Sequence, residues 1–433
     1  MDIEQERSPD PTREKSIPLS LPVLDLRGGR DEILRYFQNT WELTELLFSS
    51  LASEEAFYRR PYHKTRHPLI FYYAHPVCFY VNKLLVSGLL QNPVNSEFEL
   101  LFETGVDEMT WDDLHENDQE VWPGLSDVQD YRDQVYNIVT DLIKLNPAFD
   151  EPITQEKATW SLVMAFEHER IHLETSSVLI RELPLELVKK PKDWPEYFKE
   201  IDTLEQKLRT APYYKKNRFI RVSSSLVQLG KPNDWPTFGW DNEYGVDQRE
   251  VEPFEATKFL ISNGEFFKFV KAGGYENSKY WSEKGWSWRK FRNVKWPTFW
   301  RQDGPAGSNR FKLRTLFEEV LMQWDWPAIV NYYESKAYCS WLKEQDESEK
   351  NYRLLTESEH LALRGKSIGP GKSADFTSST VDLSSSDLIP NNQFLANHNL
   401  RYGSETPVDA LSSNDRGFHD TMGNVWQWCE DSF

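Results

Sequence analysis

Residues 154–183 of this chain read TQEKATWSLVMAFEHERIHLETSSVLIREL, and this stretch decides the fold of the first half of the molecule. Apolar side chains recur along it every three or four residues, as in an amphipathic helix, and Pro184 ends the pattern. The same periodicity marks residues 31–51, 68–90 and 125–145, with Ser126 as the expected N-cap of the third stretch. Four amphipathic helices with long connections predict a four-helix bundle over residues 29–183, and an irregular helical domain is the alternative.

The second half has a different composition. Twelve of the 17 tryptophans follow residue 230, and short apolar runs there are bounded by Gly, Pro, Asn and Asp. Only residues 263–272 and 331–343 have a helical pattern, so we expect a mixed α+β domain over residues 217–433, held together by buried aromatic side chains. Residues 1–28 are polar and contain proline, which predicts a flexible N-terminus. Residues 184–216 are predicted to be a connector with a short helix near residues 194–208.

Charge and cysteine content exclude several classes of protein. The net charge of −19 disfavours nucleic acid and anionic membranes as partners. Three widely spaced cysteines form neither a disulfide framework nor a CxxC zinc site: Cys78, Cys339 and Cys429. The polar N-terminus has no apolar signal core, and the apolar residues 68–90 are interrupted by His75, Pro76, Asn82 and Lys83. These observations predict a cytoplasmic protein with no membrane partner.

A histidine pair within residues 154–183 is the strongest chemical signal in the sequence. His168 and His172 are four residues apart, so they share one face of a helix and can ligate a single ion. His75 lies within the second apolar helix, and the cores of helical bundles are recurrent metal sites. We therefore predict a metal site formed by His75, His168 and His172. Such a site suits zinc with water, or ferrous iron with substrate and oxygen, and imidazole alone does not choose between them.

Other interpretations of the same residues stay open. Residues 168–172 also fit the HExxH pattern of zinc proteases, with Glu169 as general base and Glu182 or Glu186 as a further ligand. Two histidines at helical spacing can also be ordinary core or surface residues. His63 and His67 are weaker ligand candidates. Glu169 and Arg170 point off the ligand face, and we expect ion pairs from them.

Three runs carry a resemblance to a known family: HKTRHPLIFYYAHPVCFYVNKLLVSGLL (63–90), GVDEMTWDDL (105–114) and FEHERIHLETSSVLIRELPLELV (166–188). They resemble the DinB-like iron domain of the 5-histidylcysteine sulfoxide synthases of ovothiol biosynthesis. The runs GWDNEYG (239–245), SNGEFFKFVKAGGY (262–275), QWDWPAIVNYYESKAYCSWL (323–342), RLLTESEH (353–360) and GNVWQW (423–428) resemble the partner domain. That domain is similar to formylglycine-generating enzyme and has a C-type-lectin-like fold.

The resemblance implies an iron-dependent oxidoreductase. It would use Fe²⁺ held by His75, His168 and His172, and would join the sulfur of L-cysteine to imidazole C5 of L-histidine with O₂, giving 5-histidylcysteine sulfoxide. A sister family, the hercynylcysteine sulfoxide synthases of ergothioneine biosynthesis, has a Gln just before the last ligand. Ile171 occupies that position here, which favours the ovothiol branch.

The resemblance also predicts that the chain is truncated, because relatives continue past the position of Phe433. The family's catalytic tyrosine and further substrate contacts are expected in that continuation. A truncated, catalytically impaired metal-binding relative is therefore one alternative function, and a hercynylcysteine sulfoxide synthase is another.

Overall fold

The computed structural model describes residues 19–63, 66–103, 121–198, 214–305, 307–346, 350–364, 367–368 and 396–432. The first half is helical, and its helices are α1 (Arg30–Phe48), α2 (Glu54–Tyr58), α3 (Leu69–Val86), α4 (Ser96–Leu101), α5 (Leu125–Leu145) and α6 (Trp160–Glu182). Short 3₁₀ turns follow α5 at Pro147–Asp150 and α6 at Leu185–Leu187. All four helices predicted from periodicity are present, whereas the short helices α2 and α4 were not predicted.

The four long helices pack around one apolar core. Both α1 and α3 contact α5 and α6. Their inward faces contribute fully buried side chains, among them Phe37 of α1, Tyr80 of α3, Val135 of α5 and Phe166 of α6. Because each amphipathic helix can bury its apolar stripe only against another, this arrangement follows from the periodicity in the sequence.

Helix α3 is apolar on nearly all sides and continues through Pro76. By length and composition alone it could cross a membrane, but 72% of it is buried inside the protein, as a core helix would be. A proline directly after His75 disfavours helical geometry at His75 by local preference. The structure instead keeps His75 inside the helix, because neighbouring helices enclose this segment completely.

The end of the predicted flexible N-terminus is packed rather than free. Leu24 and Leu26 are buried in the helical core, and the backbone of Leu26 bonds to Pro236 and to Ile153. The prediction of flexibility is therefore wrong for these residues, because two leucines in a polar segment suffice to dock it. Ser126 is also not the N-cap of α5, which is preceded by Gly124.

The second half combines short helices with short strands. Its helices are α7 (Asn263–Lys271), α8 (Glu283–Arg292), α9 (Tyr332–Gln345) and α10 (Glu357–Arg364). Its strands are β1 (Phe219–Val222), β2 (Ser225–Leu229), β3 (Asp247–Val251), β4 (Phe254–Thr257), β5 (Trp300–Gln302), β6 (Phe311–Arg314), β7 (Glu319–Leu321) and β8 (Ser367–Ile368). Short 3₁₀ turns lie at Asp241–Glu243 and Ser278–Tyr280. The predicted helix near residues 194–208 is not seen in 194–198, and residues 199–208 lie outside the described part of the chain.

The strands form three small antiparallel sheets with the orders β1-β4, β3-β2-β8 and β5-β6-β7. Val222 pairs with Phe254 in the first sheet, Val227 with Arg249 in the second and Leu313 with Val320 in the third. Aromatic side chains fill the spaces between these elements, with Phe269, Tyr275, Trp281, Tyr338 and Trp341 in one cluster. Buried aromatic side chains, and not one large sheet, therefore supply much of the apolar core of this half.

The two halves meet at the C-terminal end of α6. Arg181 donates from Nη1 to Glu405 Oε1 at 2.5 Å and from Nε to the carbonyl of Arg314 at 2.8 Å. Its guanidinium lies 4.0 Å from the centre of the Phe299 ring. In return, Arg314 donates to the carbonyls of Arg181 at 3.2 Å and Leu183 at 3.3 Å. The second half therefore supplies a cation to the C-terminus of α6, where helix carbonyls lack partners of their own.

Candidate metal centre

Three imidazoles from two helices converge at one point of the helical half. His75 Nε2 lies 3.2 Å from His168 Nε2, and His172 Nε2 lies 3.1 Å from the same atom. Within the described parts of the chain, these three residues form the one group of His, Cys, Asp and Glu side chains close enough to share an ion. The i, i+4 spacing on α6 and the central position of His75 on α3 bring them together, as predicted.

The outer face of His75 is fixed by the protein. Its Nδ1 lies 2.6 Å from the carbonyl oxygen of Phe102, directly after α4. A carbonyl accepts only, so Nδ1 carries a proton, and in the neutral ring the lone pair that can ligate is on Nε2. The ring also stacks on Phe71 at 4.9 Å between centroids. His75 is therefore held in the tautomer and orientation that a metal ligand needs.

The two α6 imidazoles are held by packing. His168 stacks on Phe79 with 3.9 Å between ring centroids, and the Tyr72 ring lies 5.8 Å from His172. The Nδ1 atoms of His168 and His172 are buried and have no hydrogen-bond partner among the described residues. Ligating imidazoles usually donate their second N–H to a carbonyl, a carboxylate or water, so water is the natural partner at these two atoms.

Burial keeps the two α6 imidazoles neutral. Desolvation, followed by the nearby imidazoles of His172 and His75, lowers the pKa of His168 well below its usual range. Desolvation and the His75 ring lower the pKa of His172 to about 3. Only the neutral ring has a lone pair to give, so the site presents the ligating form of each α6 histidine at neutral pH.

The donor set fits a transition-metal ion. Two nitrogens that ligate one ion at about 2.1 Å lie about 3.0–3.4 Å apart, depending on the angle between them. The two separations from His168 Nε2, 3.1 and 3.2 Å, fall in this range, and all three ligand atoms lie within 4.8 Å of one another. Three neutral imidazoles suit zinc, iron or copper, and they leave other coordination positions for water or substrate. The positions of His75, His168 and His172 are therefore compatible with one bound ion.

Glu169 does not take part in this arrangement. Its side chain is 1% exposed and lies on another face of α6, where it accepts from Thr44 Oγ1 at 2.7 Å and Tyr80 Oη at 2.8 Å. A general base in an HExxH site must reach a water at the metal, and this carboxylate is already occupied in the core. The expectation of an ion pair is also wrong, because hydroxyl groups are the donors to Glu169.

Arg170 likewise bonds to neutral groups. Its guanidinium donates to Thr40 Oγ1, Ser20 Oγ and Asn39 Oδ1 and lies 4.0 Å from the centre of the Tyr36 ring. It thereby ties the N-terminal segment and α1 to α6.

The weaker ligand candidates lie apart from the three imidazoles. His63 Nε2 is 3.4 Å from Glu182 Oε1, and Arg292 from the second half donates to His63 Nδ1 at 3.1 Å. His67 is buried against Phe71, and desolvation followed by the His75 ring lowers its pKa to about 4. Cys78 lies near the carbonyl of Phe98, and burial raises its thiol pKa to about 12, so it is a packed thiol.

Sequence reasoning missed the groups that surround the ligands. The carbonyl of Phe102 and the rings of Phe71 and Phe79 contact the imidazoles, but a backbone carbonyl leaves no signal in a sequence. The two rings could have been found from the sequence. Phe71 and Phe79 are each four residues from His75 and so share its helix face. The acidic run at residues 107–113, which the resemblance includes, lies outside the described residues.

Both halves of the chain match known protein families. Residues 205–433, more than half of the chain, match the Sulfatase-modifying factor enzyme 1-like domain family, and residues 36–176 match the DinB superfamily. The order of the two predicted domain types is therefore confirmed. All three imidazoles lie within the region that matches the DinB superfamily.

Named relatives match one or both halves. Hercynine oxygenase of Mycobacterium tuberculosis is 29% identical over 195 residues, which are 43% of this chain and 40% of that protein. Ergothioneine biosynthesis protein 1 of Neurospora crassa is 21% identical over 449 residues, covering 90% of this chain and 49% of that protein. Inactive C-alpha-formylglycine-generating enzyme 2 of Bos taurus is 27% identical over 240 residues, or 48% of this chain and 69% of that protein. The chain spans less than half the length of the first two.

Proposed function

The chain belongs to the Sulfatase-modifying factor enzyme 1-like family, and with this as premise we propose that it is an iron-dependent, O₂-dependent sulfoxide synthase. The observation that carries the proposal is the convergence of three imidazoles in a DinB-like domain that precedes the second domain. The names of the relatives support this class, because both a hercynine oxygenase and an ergothioneine biosynthesis protein match the chain.

His75, His168 and His172 would hold the ferrous ion. When bound, the ion supplies redox chemistry toward dioxygen and open positions for an anionic sulfur ligand. The protein's part is to hold the three rings, which it does through the carbonyl of Phe102 and the stacked ring of Phe79. These groups also exclude bulk water from one side of the site, which protects reactive species from side reactions.

As substrates we propose L-cysteine, L-histidine and O₂. In the overall reaction the S–H bond of cysteine and the C5–H bond of the imidazole break, and a C–S and an S–O bond form. The second oxygen atom leaves as water with both hydrogens. Forming the C–S bond and oxidising the sulfur each release two electrons, so O₂ accepts four and no further reductant is needed.

The choice of L-histidine rests on the residue beside the last ligand. Ile171 directly precedes His172 in the sequence, and its apolar side chain is 40% exposed. A glutamine there could donate or accept a hydrogen bond, whereas isoleucine can do neither. The second candidate is a hercynylcysteine sulfoxide synthase, which the printed name of the M. tuberculosis relative favours.

A direct assay separates these functions. The chain is purified without oxygen, loaded with Fe²⁺ and given air, L-cysteine and either L-histidine or its trimethylated form, hercynine. We expect mass spectrometry to detect the sulfoxide adduct of L-histidine, absent from a zinc-loaded sample. An adduct of hercynine alone would support the second candidate. Saturable iron binding with no adduct from either substrate would support the third, a catalytically impaired metal-binding relative.

The finer structural and cellular predictions belong to the same proposal. They are the four-helix DinB-like bundle, the C-type-lectin-like fold of the second domain, the domain limits 29–183 and 217–433, and a cytoplasmic location. The packing of four long helices around one core and the three small antiparallel sheets support the first two.

A further inference from the structure

Glu169 connects three helices next to the metal centre. It follows His168 directly on α6, yet its side chain is buried in the core and not at the three imidazoles. Thr44 on α1 donates to Oε1 at 2.7 Å, and Tyr80 on α3 donates to Oε2 at 2.8 Å. One carboxylate therefore joins α6 to α3, which are the two helices that carry the candidate ligands.

The other contacts between α3 and α6 include ring packing, such as Phe79 on His168 and Tyr80 against Phe166. Apolar packing is non-directional, whereas a hydrogen bond requires a defined distance and angle. Buried polar networks can fix one register among several that apolar packing permits. Tyr80 is five residues after His75, about 7.5 Å along the helix, so the Tyr80–Glu169 bond acts close to the ligands.

We propose that Glu169 is the positioning residue that holds α3 and α6 in the register at which His75, His168 and His172 can share one ion. This inference rests on the metal centre of the proposed function. The imidazole nitrogens are 3.1 and 3.2 Å apart, and a small relative shift of the helices would move His75 out of the range in which one ion contacts all three.

Arg132 completes the network from the fourth long helix. This α5 side chain is 1% exposed, donates to Glu45 Oε1 on α1 and to the carbonyl of Tyr73 on α3, and lies over the Tyr73 ring. Arg132 therefore ties α5 to both α1 and α3, the two helices that donate to Glu169.

Glu167 provides a matched control on the other side of His168. It is the same residue type at the same distance in sequence from the ligand, and it also accepts from a tyrosine, Tyr36 Oη at 2.7 Å. Tyr36 is on α1, however, so this bond does not reach the helix that carries His75. Loss of a buried carboxylate–tyrosine bond is common to both variants, and only Glu169→Gln loosens α3 against α6.

The experiment is a Co²⁺ titration of metal-free protein at 20 °C, with folding checked by circular dichroism. We expect Glu169→Gln to raise the Kd for Co²⁺ about tenfold and to change the visible spectrum of the bound ion, because ligand positions differ. Glu167→Gln should keep the Kd within about twofold of wild type, with an unchanged spectrum. Tyr80→Phe should weaken binding several-fold, since it removes one of the two bonds.

A purely structural role would lower the unfolding temperature of Glu169→Gln but leave the spectrum of the bound ion as it is. Wild-type Kd and spectrum in folded Glu169→Gln would therefore overturn the inference. If this variant does not fold, wild-type behaviour of Tyr80→Phe would overturn it instead. Absence of saturable Co²⁺ binding by the wild-type protein would refute the metal centre itself, which is a different result.

Discussion

At the scale of single residues, the sequence predicts which side chains meet but not what holds them. The i, i+4 spacing of His168 and His172 and the position of His75 in an apolar helix were enough to predict their convergence. The roles of Glu169, Thr44 and Tyr80 could not be predicted, because the spacing of residues within one helix says nothing about donors on two others. The ligands can be found from their spacing along the sequence, whereas the residues that hold them in place are brought together only by tertiary folding.

The ligand assignment predicts the effect of removing one imidazole. We expect His172→Ala to lower the iron content of anaerobically purified protein more than tenfold, because two imidazoles bind an ion far more weakly than three. Elemental analysis measures the content. His63→Ala is the control, since His63 is half exposed beside Glu182 and is not part of the group. Full occupancy in His172→Ala would show that His172 is not a ligand.

A buried histidine in the second half predicts a pH dependence of stability. Desolvation, followed by the charge of Arg364, lowers the pKa of His360 to about 4 from an ordinary value of 6.5. Between these values the unfolded chain binds a proton that the folded protein does not. The stabilisation is therefore complete above pH 6.5 and is lost as the pH falls toward 4. The loss attributable to His360 is about 3 kcal/mol.

The variant His360→Gln tests this dependence, because glutamine can still donate to the backbone of Thr421 but does not titrate. We expect its free energy of unfolding, from urea titrations at pH 7, 5.5 and 4, to fall less steeply than that of wild type. The difference between the two proteins should change by about 2–3 kcal/mol across this range. Parallel curves for the two proteins would contradict the prediction.

At the scale of elements, hydrophobic periodicity located the long helices, and their observed limits agree within a few residues at most ends. It failed for α8, whose sequence EKGWSWRKFR mixes Trp with basic residues and has no clear apolar stripe. It predicted one helix over residues 68–90, and α3 does continue through Pro76, because burial stabilises a helix that local preference would end. In α8 and α3, tertiary packing and not local sequence preference determines the helix.

A buried cation joins α1 and α5, beside the ring contacts of Tyr136 with Phe37 and Trp41. Arg132 pairs with Glu45 at 2.7 Å and lies between the rings of Trp41 and Tyr73. We expect Arg132→Met to lower the free energy of unfolding by about 2–3 kcal/mol, less than for a fully buried pair because Glu45 is 44% exposed. Chemical denaturation measures the change.

The companion variant Glu45→Gln separates the ion pair from the packing of the arginine. In a double-mutant cycle the coupling between Arg132 and Glu45 should be about 1 kcal/mol or more. Additive effects of the two substitutions would mean that Arg132 acts through its aromatic neighbours alone.

At the scale of the whole molecule, the composition change at the middle of the sequence predicted two different architectures, and the family matches confirm their order. How they join could not be predicted. Arg181 and Arg314 are ordinary arginines in the sequence, and their exchange of hydrogen bonds with each other's backbone arises only when the end of α6 meets β6. Helix α6 thus has two of the three candidate ligands near its middle and the domain junction at its end.

This junction predicts that the two halves support each other. We expect Arg314→Met to lower the thermal unfolding midpoint of the protein by about 5 °C or more, because the carbonyls of Arg181 and Leu183 lose a charged donor. Differential scanning calorimetry measures the midpoint. Arg301→Met is the control, since the ion pair of Arg301 with Glu319 is 3.9 Å long and partly exposed. Equal shifts in both variants would exclude a special role for the junction.

The convergence of the three imidazoles has a practical consequence for anyone who isolates this protein. A site of three imidazoles can bind several divalent cations. Copper and zinc bind such donors more tightly than ferrous iron does. The metal found in a purified sample would then reflect the supply during growth and purification as well as the ligand geometry. A sample from zinc-rich medium or from a nickel column would not test the proposed iron-dependent activity.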